Sequence, residues 1–575
     1  MCGIMGGNIK EWNYQKGIER IRHRGPDGRK VLQFEECTLA FTRLAIMDLS
    51  DRAMQPLESP DGNVVLLFNG EIYGFDTLRN QLKQKYHFTT TSDTEVILYA
   101  YIEYGDTFID YIDGMFAIVI YDKREQLLKL YRDRYGIKPL YYLYRNQQFA
   151  FASELKAFVA ANDGNSTFVI DKTAIYDYLA YQYIPEPKSL YQNIYKLEPA
   201  TYLYYDLKRK KIIKKAKYWN LRINTKAHGN KKRREVLDDI RELVHISVKK
   251  QMIADVPVGV FLSGGVDSSA VSYECSKIHP DVNSFSIGFE NRRYDESDFA
   301  RKAAEVCGIP NILQVLSAED ISNLKGTLAD LFDEPFGDTT AYPTLLVSKL
   351  ARKKVKVVLT GDGGDEIFGG YERYRWFIEG RKERLAGGEK LENFLKKSRF
   401  VGSVLKGNTI RKLEGDLSAY GRFLGFFEQE TYKGWRKKLH IDEEYDSKWF
   451  LRKYYHKELP LMTRMRYLDF KTYLPGDVLT KTDRTAMRTS LEARVPFLDR
   501  DLVEYVFSLA QDEYFYGNEL KTILKKAYED VLPEDILYRK KQGFAVPDNY
   551  IGVGNCTSFE RLLKSEWKDM CGILL

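Results

Sequence analysis

A short stretch near the middle of the chain, residues 258–270, constrains the fold more than any other segment. It consists of V-G-V-F-L-S-G-G-V-D-S-S-A. Its first five residues are apolar apart from one glycine and predict a buried strand, and the run that begins at Asp267 predicts a helix reaching Cys275. The intervening S-G-G lets backbone N–H groups converge, and the helix N-terminus adds partial positive charge. The stretch therefore predicts an anion-binding turn between a strand and a helix.

The spacing of this turn excludes two common nucleotide-binding motifs. No Gly-Lys-Ser/Thr follows, as a Walker loop requires, and the glycines do not fit G-x-G-x-x-G. The order S-G-G-x-D-S-S resembles instead the pyrophosphate loop of the ATP pyrophosphatase superfamily, whose members adenylate a substrate and release pyrophosphate. The alternative is an ordinary turn in which Asp267 or Ser268 caps the helix, and the match of six residues in order disfavours it.

Composition limits the possible partners and compartments. The chain has 575 residues, enough for two or more domains, and its net charge of +7 (88 minus 81) is too small to argue for nucleic-acid binding. Six cysteines without tight spacing exclude a disulfide framework and a zinc site. We find neither the pattern of a signal peptide nor an apolar run of about 18 residues, and therefore expect a cytoplasmic protein that does not bind membranes.

A cysteine follows the initiator methionine. Removal of Met1 would leave Cys2 with both a thiol and an α-amine, whose pKa of about 8 lies near working pH. Such an amine can serve as the base for its own thiol, as in N-terminal nucleophiles. Position 2 alone is a weak signal, and the segments that follow it decide its meaning.

Two apolar segments downstream of Cys2 carry polar residues suited to bind a small substrate. Residues 39–48 predict a strand with Arg43 inside it, and an arginine in apolar sequence usually needs an anionic partner. Residues 64–68 predict a second strand, at whose end Asn69 and Gly70 can aim a side-chain amide and a backbone N–H at one point. This is the donor pair that an oxyanion hole requires.

Two acidic residues in the same region have two interpretations each. Asp93 is either the N-cap of a helix that runs to Tyr104 or a ligand for an amine. Glu71 either binds a substrate or forms an ion pair on the surface.

Taken in order, seven motifs resemble the glutaminase domain of class II glutamine amidotransferases. They are M-C-G-I, R-H-R-G-P-D, R-L-A-I-M-D, F-N-G-E-I-Y, S-D-T-E, D-G-M-F-A and S-E-L-K-A. The resemblance implies an α+β domain with the four-layer αββα fold of N-terminal-nucleophile hydrolases. It implies these roles: Cys2 as the nucleophile on glutamine, Asn69 and Gly70 as the oxyanion hole, Arg43 as the ligand of the substrate carboxylate, and Glu71 and Asp93 as ligands of its α-amino group.

The second half of the chain has a different organisation. A polar segment at 220–234 predicts a linker between a domain at 2–219 and a domain at 235–575. Beyond it, predicted strands alternate with helices, and the strands are residues 258–262, 284–289, 312–316 and 355–359. This alternation predicts an α/β doubly wound parallel sheet with its ligand at the carboxyl ends of the strands.

A run of glycines and acids, T-G-D-G-G-D-E, follows the last of these strands at 360–366. Carboxylates spaced in this way suit Mg²⁺, which prefers oxygen ligands and shares them with substrate phosphates. We therefore expect Asp267 and Asp365 to share Mg²⁺ bound to ATP. The alternative, in which these acids only cap a helix, fits Asp365 or Glu366 singly and not the whole run.

These motifs, together with L-P-G-D-V-L-T-K-T-D-R, S-L-E-A-R-V-P-F-L-D and R-K-K-Q-G-F, resemble the synthetase domain of glutamine-hydrolysing asparagine synthetases, which has a helical C-terminal part. The resemblance implies a homodimer in which aspartate attacks ATP to give β-aspartyl-AMP and pyrophosphate, and ammonia from Cys2 travels through a tunnel to displace AMP. It implies that Lys541 stabilises developing charge and that Asp362 lies in the catalytic loop. The implied ATP-binding residues are Leu262, Ser263, Gly264, Gly265, Asp267, Ser268, Ile287, Thr360 and Gly361.

Two departures from the family pattern leave the acceptor open. Asp362 occupies a position where well-known asparagine synthetases carry Glu, and the tail after Pro547 matches no motif. A relative that amidates another carboxylate, such as a uronic acid in surface-polysaccharide assembly, is the alternative. β-Lactam synthetases commonly lack the N-terminal cysteine that is present here, and a catalytically inactive scaffold would be expected to have lost the motifs.

Overall fold

The computed structural model describes residues 2–165, 167–223, 232–324, 326–386, 420, 429–516, 519–539, 546–547 and 550. The N-terminal part, up to residue 223, consists mainly of strands. In chain order they are β1 (Gly3–Gly7), β2 (Gly28–Gln33), β3 (Thr38–Arg43), β4 (Leu57–Glu58), β5 (Val64–Ile72), β6 (Gly114–Asp122), β7 (Leu127–Arg132), β8 (Tyr141–Arg145), β9 (Gln148–Ala152), β10 (Ile194–Lys196), β11 (Thr201–Asp206) and β12 (Lys211–Lys217). The helices of this part are α1 (Tyr14–Arg20), α2 (Asp76–Leu82), α3 (Asp93–Tyr104), α4 (Leu155–Asn162) and α5 (Lys172–Tyr181).

These strands form two antiparallel six-stranded sheets, with the orders β10-β8-β9-β1-β3-β2 and β12-β11-β7-β6-β5-β4. Because successive side chains point to opposite faces of a strand, each sheet supplies two apolar faces. One face of each sheet contributes to a shared cluster that contains Phe41 and Leu67. The other faces pack against helices, the first sheet with Phe158 of α4 and the second with Ile97 of α3.

The C-terminal part, from residue 232, alternates helices with short strands. The strands are β13 (Val258–Phe261), β14 (Asn283–Phe289), β15 (Asn311–Leu316), β16 (Val357–Leu359) and β17 (Glu492–Arg494). The helices are α6 (Arg233–Gln251), α7 (Val266–Ile278), α8 (Ser297–Cys307), α9 (Ala318–Ser322), α10 (Thr327–Phe332), α11 (Ala341–Arg352), α12 (Gly364–Phe368), α13 (Glu372–Ala386), α14 (Gln429–Leu439), α15 (Trp449–Arg452), α16 (Leu461–Lys471), α17 (Leu479–Arg488), α18 (Arg500–Ser508), α19 (Gln511–Tyr514), α20 (Thr522–Ala527) and α21 (Glu534–Leu537). Within the described ranges, no helix is long and apolar enough to cross a membrane.

The five strands of the C-terminal part pair in parallel in the order β15-β14-β13-β16-β17, which confirms the prediction of a parallel sheet. The strand order reverses direction between β13 and β16. At such a point the loops that leave two neighbouring strands separate, and a crevice opens at their carboxyl ends. The two glycine-rich turns of the sequence, after β13 and after β16, both start at this crevice.

Several boundaries differ from those that the sequence predicted. The strand expected over 64–68 continues to Ile72, because residues 69–72 pair with β6. The strand expected to reach residue 48 ends at Arg43. The strand expected over 355–359 begins only at Val357.

The N-terminal and C-terminal parts meet across buried charged residues. Arg24, which is 0% exposed, donates to the carboxylate of Asp483 on α17 at 2.8 and 3.1 Å. The same guanidinium donates to Glu154 at 2.9 Å and to the backbone carbonyl of Cys2 at 3.2 Å. A residue of the R-H-R-G-P-D motif therefore holds both the main chain of Cys2 and the C-terminal part.

Candidate active sites in the two parts of the chain

Cys2 lies immediately before β1, between the two sheets, and is 7% exposed. It lines a small cavity with four other residues that the sequence singled out, namely Arg43, Gly70, Glu71 and Asp93. Burial raises the pKa of the Cys2 thiol, and Arg43 and a backbone hydrogen bond at Leu44 act in the opposite direction. A thiol in this state needs a base before it can attack.

Asn69 lies beside Cys2 in the interior of β5, in register with Ala117 of β6. Its side chain is 0% exposed, and its Oδ1 accepts a hydrogen bond from the backbone N–H of Cys2 at 2.9 Å. Its Nδ2 is buried and makes no hydrogen bond to any described residue. A buried amide donor without a partner is costly unless a ligand completes it, and this one lies next to Cys2.

Gly70 follows Asn69 in the same strand and fits tightly against β6. A Cβ at this position would lie 2.1 Å from the backbone oxygen of Met115. No other residue type can therefore occupy this position without moving the strand.

Arg43, at the end of β3, is 6% exposed and lines the same cavity. The sequence predicted an anionic partner for this guanidinium. The structure instead gives it backbone carbonyls, those of Ser50 at 2.7 Å and of Asp48. These bonds fix the guanidinium without neutralising its charge, which leaves a cation suited to a substrate carboxylate.

Glu71 and Asp93 form an acidic pair on the cavity wall. The helix cap next to them is Ser92, whose side chain accepts from the backbone N–H of Thr94, so Asp93 does not cap the helix by side-chain hydrogen bonding. Burial raises the pKa of Asp93 to about 6, and burial together with Asp93 raises the pKa of Glu71 well above its ordinary value. Two buried acids of this kind are stabilised in their charged form by a bound cation such as an ammonium group.

A second and larger cavity, of about 640 Å³, opens at the crevice of the parallel sheet. Its lining includes most of the residues expected to bind ATP, namely Leu262, Ser263, Gly265, Asp267, Ser268, Thr360 and Gly361, together with Asp362 and Asp365. Gly264 and Ile287 are not among the described residues that line it. Gly264 has φ of +72° and packs against Phe299, where a Cβ would lie 2.5 Å from the backbone. The turn after β13 therefore requires glycine at this position even though it does not face the cavity.

The two glycine-rich turns touch each other at the floor of this cavity. A Cβ at Gly361 would lie 2.9 Å from Cβ of Asp267 and 3.0 Å from the backbone nitrogen of Ser268. Glycine at this position lets the loop after β16 pack directly against the N-terminus of α7. The backbone amides and dipole of that helix end favour an anion such as pyrophosphate.

Asp362 is held by hydroxyl groups from two segments. Its Oδ2 accepts from Thr360 Oγ1 at 2.9 Å and from Thr482 Oγ1 at 2.8 Å. Lys481, next to Thr482, also lines the cavity and donates to Asp338 at 2.7 Å. These two hydrogen bonds fix the carboxylate of Asp362 at the cavity wall, although its side chain is one methylene shorter than that of Glu.

Asp267 and Asp365 converge on one cation, which sequence reasoning did not identify. The ammonium group of Lys521 is 2.6 Å from Asp365 Oδ1 and also donates to Asp267. Burial lowers the pKa of Lys521, but the two carboxylates outweigh burial and raise it. The two acids thus share one cation. Lys521 lies 254 positions after Asp267 and belongs to no motif that we recognised, so nothing in the sequence indicated this contact.

A bound Mg²⁺ ion would fit this pair of acids. Two carboxylates with waters and substrate phosphates are the usual ligand set of Mg²⁺, which seldom uses an all-protein cage. No group of three or more acidic, histidine or cysteine side chains that could hold a metal occurs among the described residues. The donor set therefore suits a metal that arrives with its nucleotide.

Sequence reasoning also missed Arg539, Arg494 and Arg24, which have structural roles at these sites. Arg539 donates from Nε to the carbonyl of Gly264 at 3.1 Å and pairs with Glu296, which holds the pyrophosphate-type turn. Lys541, the expected charge-stabilising residue, lies outside the described residues. Each of the three lies inside a motif quoted above, but nothing in those motifs indicates its contacts, because its partners lie far away in the sequence.

Comparisons with known proteins agree with both halves of this description. The family model described as asparagine synthase matches residues 239–566, and the glutamine amidotransferase domain matches residues 1–219. The chain is 35% identical over 548 residues to asparagine synthetase [glutamine-hydrolyzing] 1 of Bacillus subtilis (strain 168), covering 94% of this chain and 84% of that protein. It is 34% identical over 539 residues to a putative asparagine synthetase [glutamine-hydrolyzing] 2 of Methanocaldococcus jannaschii, covering 86% and 100%.

A more distant relative has a different name. The amidase chyE of Penicillium rubens is 27% identical over 578 residues, covering 92% of this chain and 80% of that protein. The matching family models and the relatives above 30% identity nonetheless agree with each other over both parts of the chain. The chain therefore belongs to the family of glutamine-hydrolysing asparagine synthetases, which are ATP-dependent ligases.

Proposed function

We propose that this ligase is a glutamine-dependent asparagine synthetase that makes ammonia at Cys2 and uses it to amidate aspartate. The observation that carries the proposal is the pairing of two cavities in one chain. One is lined by a buried cysteine, an uncompensated guanidinium and two acids, and the other by two glycine-rich turns at the crevice of a parallel sheet.

In the first cavity we assign each group a role in glutamine hydrolysis. Arg43 binds the α-carboxylate of glutamine, and Glu71 and Asp93 bind its α-amino group. Once Met1 has been removed, the α-amine of Cys2 takes the thiol proton, and the sulfur attacks the carboxamide carbon. Asn69 Nδ2 and the backbone N–H of Gly70 stabilise the oxyanion, and collapse of the tetrahedral adduct releases ammonia and leaves an acyl-enzyme that water hydrolyses.

In the second cavity, ATP is bound by the turns after β13 and β16. The side-chain carboxylate of aspartate attacks the α-phosphorus, which gives β-aspartyl-AMP and pyrophosphate. Ammonia then attacks the activated carbonyl and AMP leaves. Asp362 lies on the wall where it can accept a proton from the incoming ammonia, and Lys541 is assigned the stabilisation of charge that develops at phosphorus.

Mg²⁺ is assigned to Asp267 and Asp365, where it would neutralise phosphate charge when bound. Lys521 lies between these carboxylates in the structure, so we expect it to contact the pyrophosphate side of the nucleotide when the metal takes its place. Keeping both reactions in one molecule raises the effective concentration of ammonia at the second site.

We also propose the architecture that the family pattern implies. Residues 2–219 form an αββα glutaminase domain, residues 220–234 a linker, and residues 235–575 a doubly wound synthetase domain with a helical C-terminal part. The clusters on both faces of the two antiparallel sheets support the four layers. The strand order of the parallel sheet supports the doubly wound arrangement. The resemblance to the family is the basis on which we propose a homodimer.

Asp362 favours one alternative, a related amidotransferase that acts on another carboxylate such as a uronic acid. A side chain that is one methylene shorter than Glu leaves more room on this wall of the cavity. A relative from Penicillium rubens is named an amidase and not an asparagine synthetase.

Pyrophosphate release with ATP, Mg²⁺ and glutamine tests the proposal directly. Aspartate is compared with a panel of other carboxylates, and the amide product is identified by mass spectrometry. Release that depends on aspartate, with asparagine appearing in equal amount, supports asparagine synthesis. Turnover with a uronic acid and not with aspartate moves the protein to the alternative.

A further inference from the structure

Arg494 reaches from the C-terminal part of the chain to the cavity that contains Cys2. It lies on β17, the edge strand of the parallel sheet, and its side chain is 0% exposed. Its Nη2 is 3.3 Å from Oε2 of Glu71, the acid that lines the cavity of Cys2. A charged residue of one part of the chain therefore contacts the proposed glutamine-binding residue of the other.

The guanidinium is fixed on every other side. Its Nε donates to Glu492 at 2.6 Å, and its Nη1 donates to the backbone carbonyls of Gln251 and Ile253 at 2.7 and 2.6 Å. These carbonyls lie at and beyond the C-terminal end of α6, where a helix favours a cation. Nη2 makes no hydrogen bond to any described residue, so Glu71 is the group that it faces.

The main chain of the same residue holds the nucleotide loop. The backbone carbonyl of Arg494 accepts from the N–H of Thr360 at 2.9 Å. Thr360 in turn lines the larger cavity and donates to Asp362. One residue thus touches the glutamine cavity with its side chain and the nucleotide cavity with its backbone.

Charge balance gives the contact a function. Glu71, Asp93 and Glu492 are three buried carboxylates within interaction range of each other, and Lys138 offsets part of the charge at Glu492. Arg494 is the buried cation of the C-terminal part that faces Glu71, and it lowers the pKa of both Glu71 and Asp93 against the effect of burial. Without it, the acids that bind the ammonium group would be less fully ionised and less well oriented.

We propose that Arg494 is a positioning residue of the glutamine site, which orients Glu71 for the α-amino group of glutamine although it belongs to the C-terminal part. This inference rests on the proposed glutaminase function. It predicts that the geometry of the first cavity is complete only with the C-terminal strand packed against it.

Arg494→Lys tests the inference while keeping a positive charge beside Glu492. One ammonium group cannot span Glu492, two carbonyls and Glu71, because it lacks the planar fork of arginine. We expect KM for glutamine to rise about tenfold with kcat changed less than about threefold, since lost orientation of a binding group weakens binding rather than chemistry. Ammonia-dependent pyrophosphate release serves as the measure of folding and should stay above half of the wild-type rate, because the Arg494 main chain still holds Thr360.

Arg484→Lys is the matched control. Arg484 is equally buried, at 2% exposure, and also crosses between the two parts, where it pairs with Glu154 at 2.9 Å, but it does not contact Glu71. Its KM for glutamine should change less than about twofold, which is the expectation for a residue outside the binding site.

A double-mutant cycle with Glu71→Gln separates orientation from general damage. If Arg494 acts through Glu71, adding Arg494→Lys to Glu71→Gln should raise KM for glutamine by less than about twofold more. An unchanged KM in Arg494→Lys, an equal shift in Arg484→Lys, or full additivity in the double variant overturns the inference. Absence of glutamine hydrolysis in the wild-type chain overturns the proposed function instead, so the two failures are distinguishable.

Discussion

Replacing Asn69 with alanine tests the oxyanion hole at the residue where the structure leaves a donor unsatisfied. The Nδ2 group of Asn69 is buried, lies beside Cys2 and makes no hydrogen bond to any described residue. If it donates to the oxyanion, its removal costs about 2.7–4 kcal/mol of transition-state stabilisation, which is a fall of about 10²–10³-fold in kcat for glutamine hydrolysis. KM for glutamine should change far less, because the donor acts mainly in the transition state.

A second and smaller effect of the same substitution is on stability. Oδ1 of Asn69 accepts the backbone N–H of Cys2, and loss of one such bond costs about 0.5–1.5 kcal/mol. Asn8→Ala is the matched control, since Oδ1 of Asn8 accepts the backbone N–H of Phe149 at 2.7 Å and its Nδ2 donates to Tyr205. Both variants should unfold at slightly lower temperature, and only Asn69→Ala should lose glutaminase turnover.

The assay is steady-state glutamate release, with ammonia-dependent pyrophosphate release measured on the same preparations. The reasoning is refuted if Asn69→Ala keeps kcat within about fivefold of wild type, because an oxyanion donor is worth far more than that. It is also refuted if ammonia-dependent synthesis falls as much as glutamine hydrolysis, since the effect would then be structural.

Three further predictions concern other groups of the two sites. Cys2→Ala should abolish glutamine-dependent synthesis and keep ammonia-dependent synthesis, and joint loss of both in the same assay would contradict separate sites. Asp267→Ala should abolish pyrophosphate release, because the nucleotide turn and the proposed metal site both lose this carboxylate. Asp298→Ala, which removes an exposed carboxylate on α8, is the control. Unchanged release in Asp267→Ala would show that Asp267 does not belong to the site. Because burial raises the pKa of Asp93 to about 6, this carboxylate is charged above that pH and neutral below it, so kcat/KM for glutamine should fall as pH drops through about 6. Asp93→Asn should have a lower kcat/KM without this fall, and a fall of the same size in the variant would assign the titration to another group.

Much of the site could be predicted from local sequence, because its backbone geometry is local. The S-G-G turn lies between β13 and α7 as predicted, and V-D-S-S forms the first turn of α7, since glycines, a strand and a helix start are all specified within about a dozen residues. The resemblance predicted that five residues contribute to one site, and the structure places all five around one cavity: Cys2, Arg43, Gly70, Glu71 and Asp93.

Other features depended on pairing with distant segments and had no local signal. The strand β17 has the sequence E-A-R, two charged residues of three, and nothing in that pattern predicts a buried strand. It is a strand because it pairs with β16, and its charges are tolerated because each meets a partner. The capping interpretation of Asp93 was likewise decided by a contact, since the neighbouring Ser92 accepts the capping hydrogen bond, and the role of Asp93 as a ligand for an amine stays a prediction.

From its motifs and their family resemblance, the sequence predicted two sites: a cysteine nucleophile with its binding residues, and a pyrophosphate-type turn with a second acidic loop. How the two parts of the chain are joined follows from the tertiary structure alone. Lys521 meets Asp267 across 254 positions, and Arg24 meets Asp483 across 459. An ion pair depends on the distance between two charges in space, and neither periodicity nor spacing along the chain records that distance. The contact of Arg494 with Glu71 is of the same kind, because it joins two charges that are close in space and far apart in the sequence.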